Sequence, residues 1–223
     1  WRLGLAPAEL RGRFTGEPLL APPGRAVEYS DLGFLVLGWL AEAVTGETLD
    51  ALVARWVSQP LGLISTGFGP RQERDVAATE AGPDGRYRAG VVHDENAAAL
   101  GYPVGHAGLF STAADLAAYL GAWTAASDDW LPGGLRGEAT RDRTAGLGGH
   151  RGLGWTARHD AYDQLGDAWP ESAVFHSGFT GTSLALDPPS RRWVVLLTND
   201  IQLGRQRGVI NPLRWAVHTA LAP

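Results

Sequence analysis

The sequence predicts an α+β fold, and three observations predict it. Helical periodicity dominates from Ser30 to Trp123, strand-like runs cluster from Ala173 to Thr198, and one helical stretch closes the chain. Segregated helices and strands, without alternating strand–helix units, argue for an antiparallel sheet packed by helices. No internal repeat and no second domain boundary is evident, so residues 1–223 are expected to form a single domain.

The elements follow in order. Residues 1–28 are rich in Gly, Pro and Arg with no sustained period, and Pro22-Pro23-Gly24 reads as a turn, so this stretch is expected to be loop. Ser30 or Asp31 can cap a helix running to about Val44. Leu32, Leu35, Val36, Trp39, Leu40 and Ala43 recur there at helical spacing, and Gly46 supplies a stop. Phe34 and Leu37 make it apolar on more than one face, which predicts a mostly buried helix. A second helix follows from Thr48 as cap, with Leu49, Leu52, Val53, Trp56 and Val57 in one stripe, and ends before Pro60. Residues 67–105 read as polar and irregular. A third helix opens at Ser111 or Thr112, with Asp115 complementing its positive N-terminus and Leu116, Tyr119, Leu120 and Trp123 facing inward.

Between Leu131 and Gly154 glycine is too frequent for a regular helix, although Leu153–Thr156 can begin a strand. Ala173–His176, Thr182–Asp187 and Trp193–Thr198 read as strands, the last two joined by a Pro188-Pro189-Ser190-Arg191 turn. Trp193–Leu197 is continuously apolar, as expected of a strand covered on both faces. Asn211 in the cap and Pro212 in the first turn introduce a closing helix to about Leu221.

Composition narrows the function classes. With 223 residues, 44% of them hydrophobic, and nine Trp, the chain can build a sizeable core. Its net charge of −5 is interspersed, with no basic stripe of the kind that tracks phosphates, so nucleic acid is not an expected partner. The absence of cysteine excludes disulfides, thiolate nucleophiles and Cys-ligated metals, and leaves cytoplasmic and extracytoplasmic locations both open. The longest apolar stretch, Leu32–Leu40, is broken by Gly33 and Gly38 and falls short of the about 20 residues that cross a bilayer, so no membrane span is expected. All 19 basic residues are arginine, which cannot shed its proton to act as a base or amine nucleophile.

Three segments stand out. Tyr29-Ser30-Asp31 begins the first helix, Gly105-His106-Ala107-Gly108-Leu109-Phe110-Ser111-Thr112 leads into the third, and His176-Ser177-Gly178-Phe179-Thr180-Gly181 follows a strand. With Val92-His93-Asp94-Glu95-Asn96-Ala97 and Val194-Val195-Leu196-Leu197-Thr198-Asn199, they resemble the serine β-lactamase-related hydrolases, a family spanning class C β-lactamases, penicillin-binding proteins and esterases. The resemblance runs from about Glu17 to Leu221. It implies a β-lactamase/transpeptidase-like fold and three motifs: Ser-x-x-Lys, then Tyr-x-Asn or a variant, then Lys-Thr-Gly or His-x-Gly on the strand bordering the site. The second and third have counterparts here. The first needs a lysine, so it is expected upstream of Trp1, together with the N-terminal strands and the nucleophile helix. A chain that begins at Trp1 and contains no Met is in turn expected to be part of a longer polypeptide.

By resemblance, Tyr29 is the candidate general base. A phenol with an ordinary pKa near 10 serves as a base only where positive charge stabilises its phenolate, and in the family a lysine supplies much of that charge. The plainer reading is a tyrosine packed at a helix start with its hydroxyl hydrogen-bonded. Asp31 departs from the commoner asparagine, because an ionised carboxylate only accepts; substrate binding and simple helix capping both fit it. His176 takes the place of the third motif's lysine or histidine, where it would hold a substrate carboxylate or the tyrosine's proton network, or serve as a satisfied strand-end histidine. Ser177 and Gly178 would border the substrate, and the N–H of Phe179 corresponds to the strand-borne oxyanion donor, its partner being the N–H of the upstream serine. His106 would line the site or act structurally.

Other chemistries fit less well. His93, Asp94 and Glu95 are adjacent and project in different directions, and no second spaced ligand pair occurs, so neither a metal nor a cofactor is expected. No Gly-x-Ser-x-Gly elbow is present for a self-contained triad. The resemblance therefore implies a serine hydrolase acting on small ester, amide or peptide substrates, inactive without its Ser-x-x-Lys segment. The His-Ser-Gly form tilts the expectation toward an esterase or carboxypeptidase rather than an efficient β-lactamase. A non-catalytic pseudoenzyme or ligand-binding protein of the same fold is the alternative, and a nucleophile segment on another chain cleaved from the same precursor a third. A sheet lacking its N-terminal strands is also expected to leave an edge and apolar surface uncovered, making the chain marginally stable or self-associating.

Overall fold

A computed structural model of the chain describes residues 4–72, 75–101, 103–205 and 208–223. Helices and antiparallel sheets segregate as expected for α+β. The internal contacts gather into two compact units, residues 4–23 with 28–112, and residues 24–27 with 113–223.

The first unit holds helices α1 (Pro7–Gly16), α2 (Asp31–Thr45), α3 (Leu49–Val53) and α4 (Glu95–Leu100), with a two-stranded antiparallel ladder of β1 (Gly67–Phe68) and β2 (Leu109–Phe110). Ser30 Oγ accepts from the Gly33 N–H at 3.3 Å and starts α2; Gly46, at φ 73°, ends it by donating to Glu42 O at 2.8 Å. Helix α3 runs on into a π-helical turn, Ala54–Ser58, before Pro60, and its Thr48 cap makes no side-chain bond. The core of this unit joins Leu10, Leu35, Trp39, Ala97, Leu100 and Val104.

Several expectations for this unit are corrected. The first residues are not all loop: Pro7 at the first helical position and the Glu9 carboxylate, which accepts from the Ala6 N–H at 3.0 Å, start α1, and Leu10 and the Arg11–Trp39 stacking dock it. Helix α2 is not mostly buried. It buries Leu35, Gly38 and Trp39 but leaves Phe34, Val36, Leu37, Leu40 and Val44 exposed. The stretch read as irregular contains α4, started by Asp94 Oδ1 accepting from the Ala97 N–H at 2.8 Å and stopped by Gly101 at φ 70°. Among the described residues no single helix is long and apolar enough to cross a membrane.

The second unit is built on a four-stranded antiparallel sheet in the order β3 (Thr156–Ala157), β4 (Val174–Ser177), β5 (Ser183–Asp187) and β6 (Arg192–Leu196). Side-chain alternation sends Val174 and Leu186 to one face, with Leu120 and Trp123 of α5 (Ala113–Thr124) and Ala139 of α6 (Gly133–Thr140). Phe175, Ala185 and Val194 point to the other, with Leu165, Trp169 and the closing helix α7 (Ile210–Ala220), whose His218 lies edge-on to Phe175 at 5.6 Å. The three long strands and α5 match their predicted positions within a residue or two.

Three expectations fail here. Helix α6 forms despite its glycines because tertiary bonds hold it: the buried Arg136 guanidinium donates to Ala122 O and Ser127 O at 3.2 and 2.9 Å. β6 is not covered on both faces. It is an edge of the sheet among the described strands, with Val194 buried and Trp193 and, just beyond it, Leu197 exposed. Asn211 is not the cap of α7, which starts one residue earlier, so Asn211 and Pro212 both sit in its first turn.

Candidate active site

The residues singled out in the sequence divide between the units. Tyr29, Asp31 and His106 lie in the first; His176, Ser177, Gly178 and Phe179 lie in the second.

In the first unit Tyr29 lies two residues before α2 and is half-exposed, and Asp31, in the first turn of α2, is exposed. The glycine-flanked turn that carries His106 closes with a Val104–Ala107 bridge. Its close approach to α2 demands glycine: a Cβ on Gly105 would fall well inside van der Waals contact with Phe34 O. The His106 side chain, only 4% exposed, contacts Asp94 Oδ1 through Nε2 at 2.8 Å. Burial alone would raise the Asp94 carboxyl, but hydrogen bonds from His106 and the Ala97 N–H, with the charge of the histidine, outweigh it and hold the carboxyl below its usual value. Asp94 thus ties the start of α4 to the loop before β2. Asp31, Asp94 and His106 each offer one ligand atom within 4.8 Å of the others, a spacing at which a small cation could be held. Three distant segments supply that trio, so no local spacing in the sequence could have announced it.

In the second unit β4 ends at Ser177, and the chain turns through Gly178–Gly181 into β5. Gly178 N–H donates to Thr182 O at 2.8 Å, and a Cβ on Gly178 would collide with the Thr182 hydroxyl. Phe179, at the tip, is exposed. His176 pairs with Leu184 and Ser177 with Ser183 across the ladder. Burial first, and then the Arg151 charge, push the His176 imidazole below its ordinary pKa, against a Ser177 backbone hydrogen bond that works the other way. Arg151 is itself fixed, donating to Thr156 Oγ1 at 2.7 Å and pairing with Asp160 at 2.8 Å.

Sequence reasoning missed Arg151 and Arg214, two cations that act on the third motif. Neither lies in a motif; Arg214 sits on a terminal helix that otherwise reads as amphipathic, and its partners lie 32 and 36 residues away.

The structure superimposes on a β-lactamase from Mycobacterium bovis with a TM-score of 0.68 at 23% identity, covering 97% of this chain and 68% of that one. A hydrolase with promiscuous acyltransferase activity, EstCE1, gives 0.71 at 25% identity, covering 96% and 61%. These define a β-lactamase/transpeptidase-like fold. The family model described as Beta-lactamase matches residues 1–219, and the chain belongs to that family of hydrolases. A putative D-alanyl-D-alanine carboxypeptidase of Escherichia coli K12 is 31% identical over 218 residues. The match takes in 82% of this chain and 47% of that protein, so the chain spans about half the length of the carboxypeptidases it resembles.

Proposed function

We propose that residues 1–223 supply the second- and third-motif groups of a serine acyl-hydrolase whose nucleophile is carried by a Ser-x-x-Lys segment. The observation that carries the reading is the end of β4: His176 and Ser177 on a strand of the antiparallel sheet, followed by Gly178 and a turn at whose tip Phe179 is exposed. In the first half-reaction the serine Oγ attacks the substrate carbonyl carbon, the Phe179 N–H donates to the oxyanion, and the bond to the leaving oxygen or nitrogen breaks. The serine's proton passes through Tyr29 to the leaving group. Water then attacks the acyl-enzyme and restores the serine.

Because its pKa is lowered, His176 is neutral near pH 7 and serves this scheme as a hydrogen-bonding group, not as a cation. The proposed substrate class is esters and short peptides ending in a D-amino acid, the latter supported by the likeness to putative D-alanyl-D-alanine carboxypeptidases. Asp31, Ser177, Gly178 and His106 are the proposed substrate-facing groups.

The test is p-nitrophenyl ester and D-alanyl-D-alanine peptide turnover by a polypeptide in which a Ser-x-x-Lys segment precedes these residues. Tyr29→Phe is expected to lower kcat by roughly 10²–10⁴, the usual yield of a positioned acid–base group. Unchanged turnover refutes the role. A second reading, a non-catalytic protein of the same fold, is favoured by one observation: no lysine occurs in the chain. Stoichiometric labelling of residues 1–223 alone by a fluorophosphonate probe would contradict both readings.

A further inference from the structure

Arg214 is a buried charge, 2% exposed, on the face of α7 turned to the sheet. Its Nη2 donates to Gly178 O at 2.7 Å and to Thr182 O at 2.9 Å. Its Nη1 donates to Gln164 Oε1 at 3.2 Å and, more weakly, to Asn211 Oδ1 at 3.4 Å. The two carbonyls flank the turn after β4, and each already accepts a bond within that turn: Thr182 O from the Gly178 N–H at 2.8 Å, and Gly178 O from the Gly181 N–H at 3.2 Å. A single guanidinium nitrogen therefore clamps both ends of the turn.

One of these carbonyls matters more than the other. Gly178 C=O and Phe179 N–H belong to the same peptide unit, which is planar and trans, so fixing the direction of the carbonyl fixes the opposite direction for the N–H. A cationic donor on the oxygen also polarises the unit and strengthens its N–H as a donor. Desolvating a permanent charge is expensive, and an apolar side chain would pack α7 against the sheet without that penalty.

We propose that Arg214 is a positioning residue that aims and polarises the Phe179 N–H. The inference rests on the reading of that N–H as the oxyanion donor, but its structural half can be tested without catalysis. In residues 1–223, NMR would follow the Phe179 amide proton shift and the exchange rates of the Gly178 and Gly181 amides in wild type, Arg214→Lys and Arg214→Met. The expected result is an upfield move of the Phe179 amide and at least about tenfold faster exchange at Gly178 and Gly181, with Leu120 and Trp123 of α5 unaffected; Lys is intermediate.

In the polypeptide with the Ser-x-x-Lys segment, Arg214→Met should lower kcat by roughly 10–100-fold with KM within about twofold, less than outright loss of an oxyanion donor, and Lys should restore part of it. If Met does not fold, Lys alone decides: a moved Phe179 shift with reduced kcat supports the proposal. Variants that lower only the melting temperature, leaving the Phe179 shift and kcat as in wild type, overturn it. Wild type without turnover, combined with the NMR changes, would locate the failure in the proposed activity and leave the clamp standing.

Discussion

His218 provides a quantitative test of how α7 is held. Its side chain is fully enclosed, edge-on to Phe175 and Trp169 at 5.6 and 6.5 Å, with Nε2 3.0 Å from Ser183 Oγ. Burial, and then the neighbouring Arg214 charge, push its pKa from 6.5 down to about 4. The native state therefore keeps the ring neutral at a pH where the unfolded chain would protonate it. Because the folded pKa is depressed for a group that gains charge on protonation, the unfolded state binds the extra proton. Stability is then fullest above pH 6.5 and drains away as the pH falls toward about 4. At about 1.4 kcal/mol per tenfold, the gap amounts to about 3 kcal/mol, a large part of an ordinary domain's 5–15 kcal/mol.

The assay is urea unfolding followed by tryptophan fluorescence at pH 7.5, 5.5 and 4.2, on wild type and His218→Gln. Between pH 7.5 and 4.2 the wild type should lose about 3 kcal/mol more than the variant, with about half of that difference present by pH 5.5. His176, Asp94 and the other titrating groups occur in both proteins and cancel in the comparison. Parallel pH profiles would refute the reasoning.

Asp94→Asn tests the same direction of linkage in a more acidic window. The depressed Asp94 carboxyl contributes stability above its unfolded value of 3.8 that is lost as pH falls through the lower folded pKa, so wild-type unfolding should steepen below about pH 4 more than that of the variant. Ser30→Ala removes the cap of α2 and should cost about 1 kcal/mol by thermal denaturation. Gly105→Ala places a methyl against the Phe34 backbone, which cannot swing aside as a side-chain tip could, and should cost roughly 1–3 kcal/mol or more in chemical denaturation. Trp123→Ala empties the centre of an aromatic cluster, with Trp155 and Trp130 at 5.4 and 5.9 Å, and should cost roughly 3–5 kcal/mol by the same measurement.

What the sequence made legible was structure that carries its own signal. Helices α2 and α5 show apolar periodicity, β4 and β6 show β-branched and aromatic residues, and β5 repeats Leu at every second position, all between turn residues. Helices α1, α4 and α6 lack such patterns: α4 is short and rests on the Asp94 cap, and α6 rests on Arg136 bonds to carbonyls at Ala122 and Ser127. The face each element buries was less legible than its type. An apolar run such as Trp193–Leu197 looks the same at an edge as at the centre of a sheet, and the apolar excess of α2 reads as burial although Leu37, Leu40 and Val44 lie open. The motif segments could be singled out because each is contiguous. Arg214 and the Asp94–His106 pair were not, because their partners meet only through folding.

The all-arginine composition gives these long-range ties a common physical basis. Arg214 grips the carbonyls of Gly178 and Thr182, Arg136 those of Ala122 and Ser127, and Arg143 Nε that of Glu138. Arg214 and Arg136 are charges brought into the interior to bond backbone oxygens in turns or at a helix end, while Arg143 does so from an exposed position. A lysine ammonium is more strongly hydrated and lacks the rigid fork that meets two separated oxygens at once, so it would lose more solvation for less well-directed bonds. A glycine-rich unit with short strands and few capped helices thus gains order from guanidinium clamps where periodicity is weak. An Arg214→Lys exchange should therefore loosen the turn it holds more than the helix that carries it, whereas Arg136→Lys should loosen α6 as well.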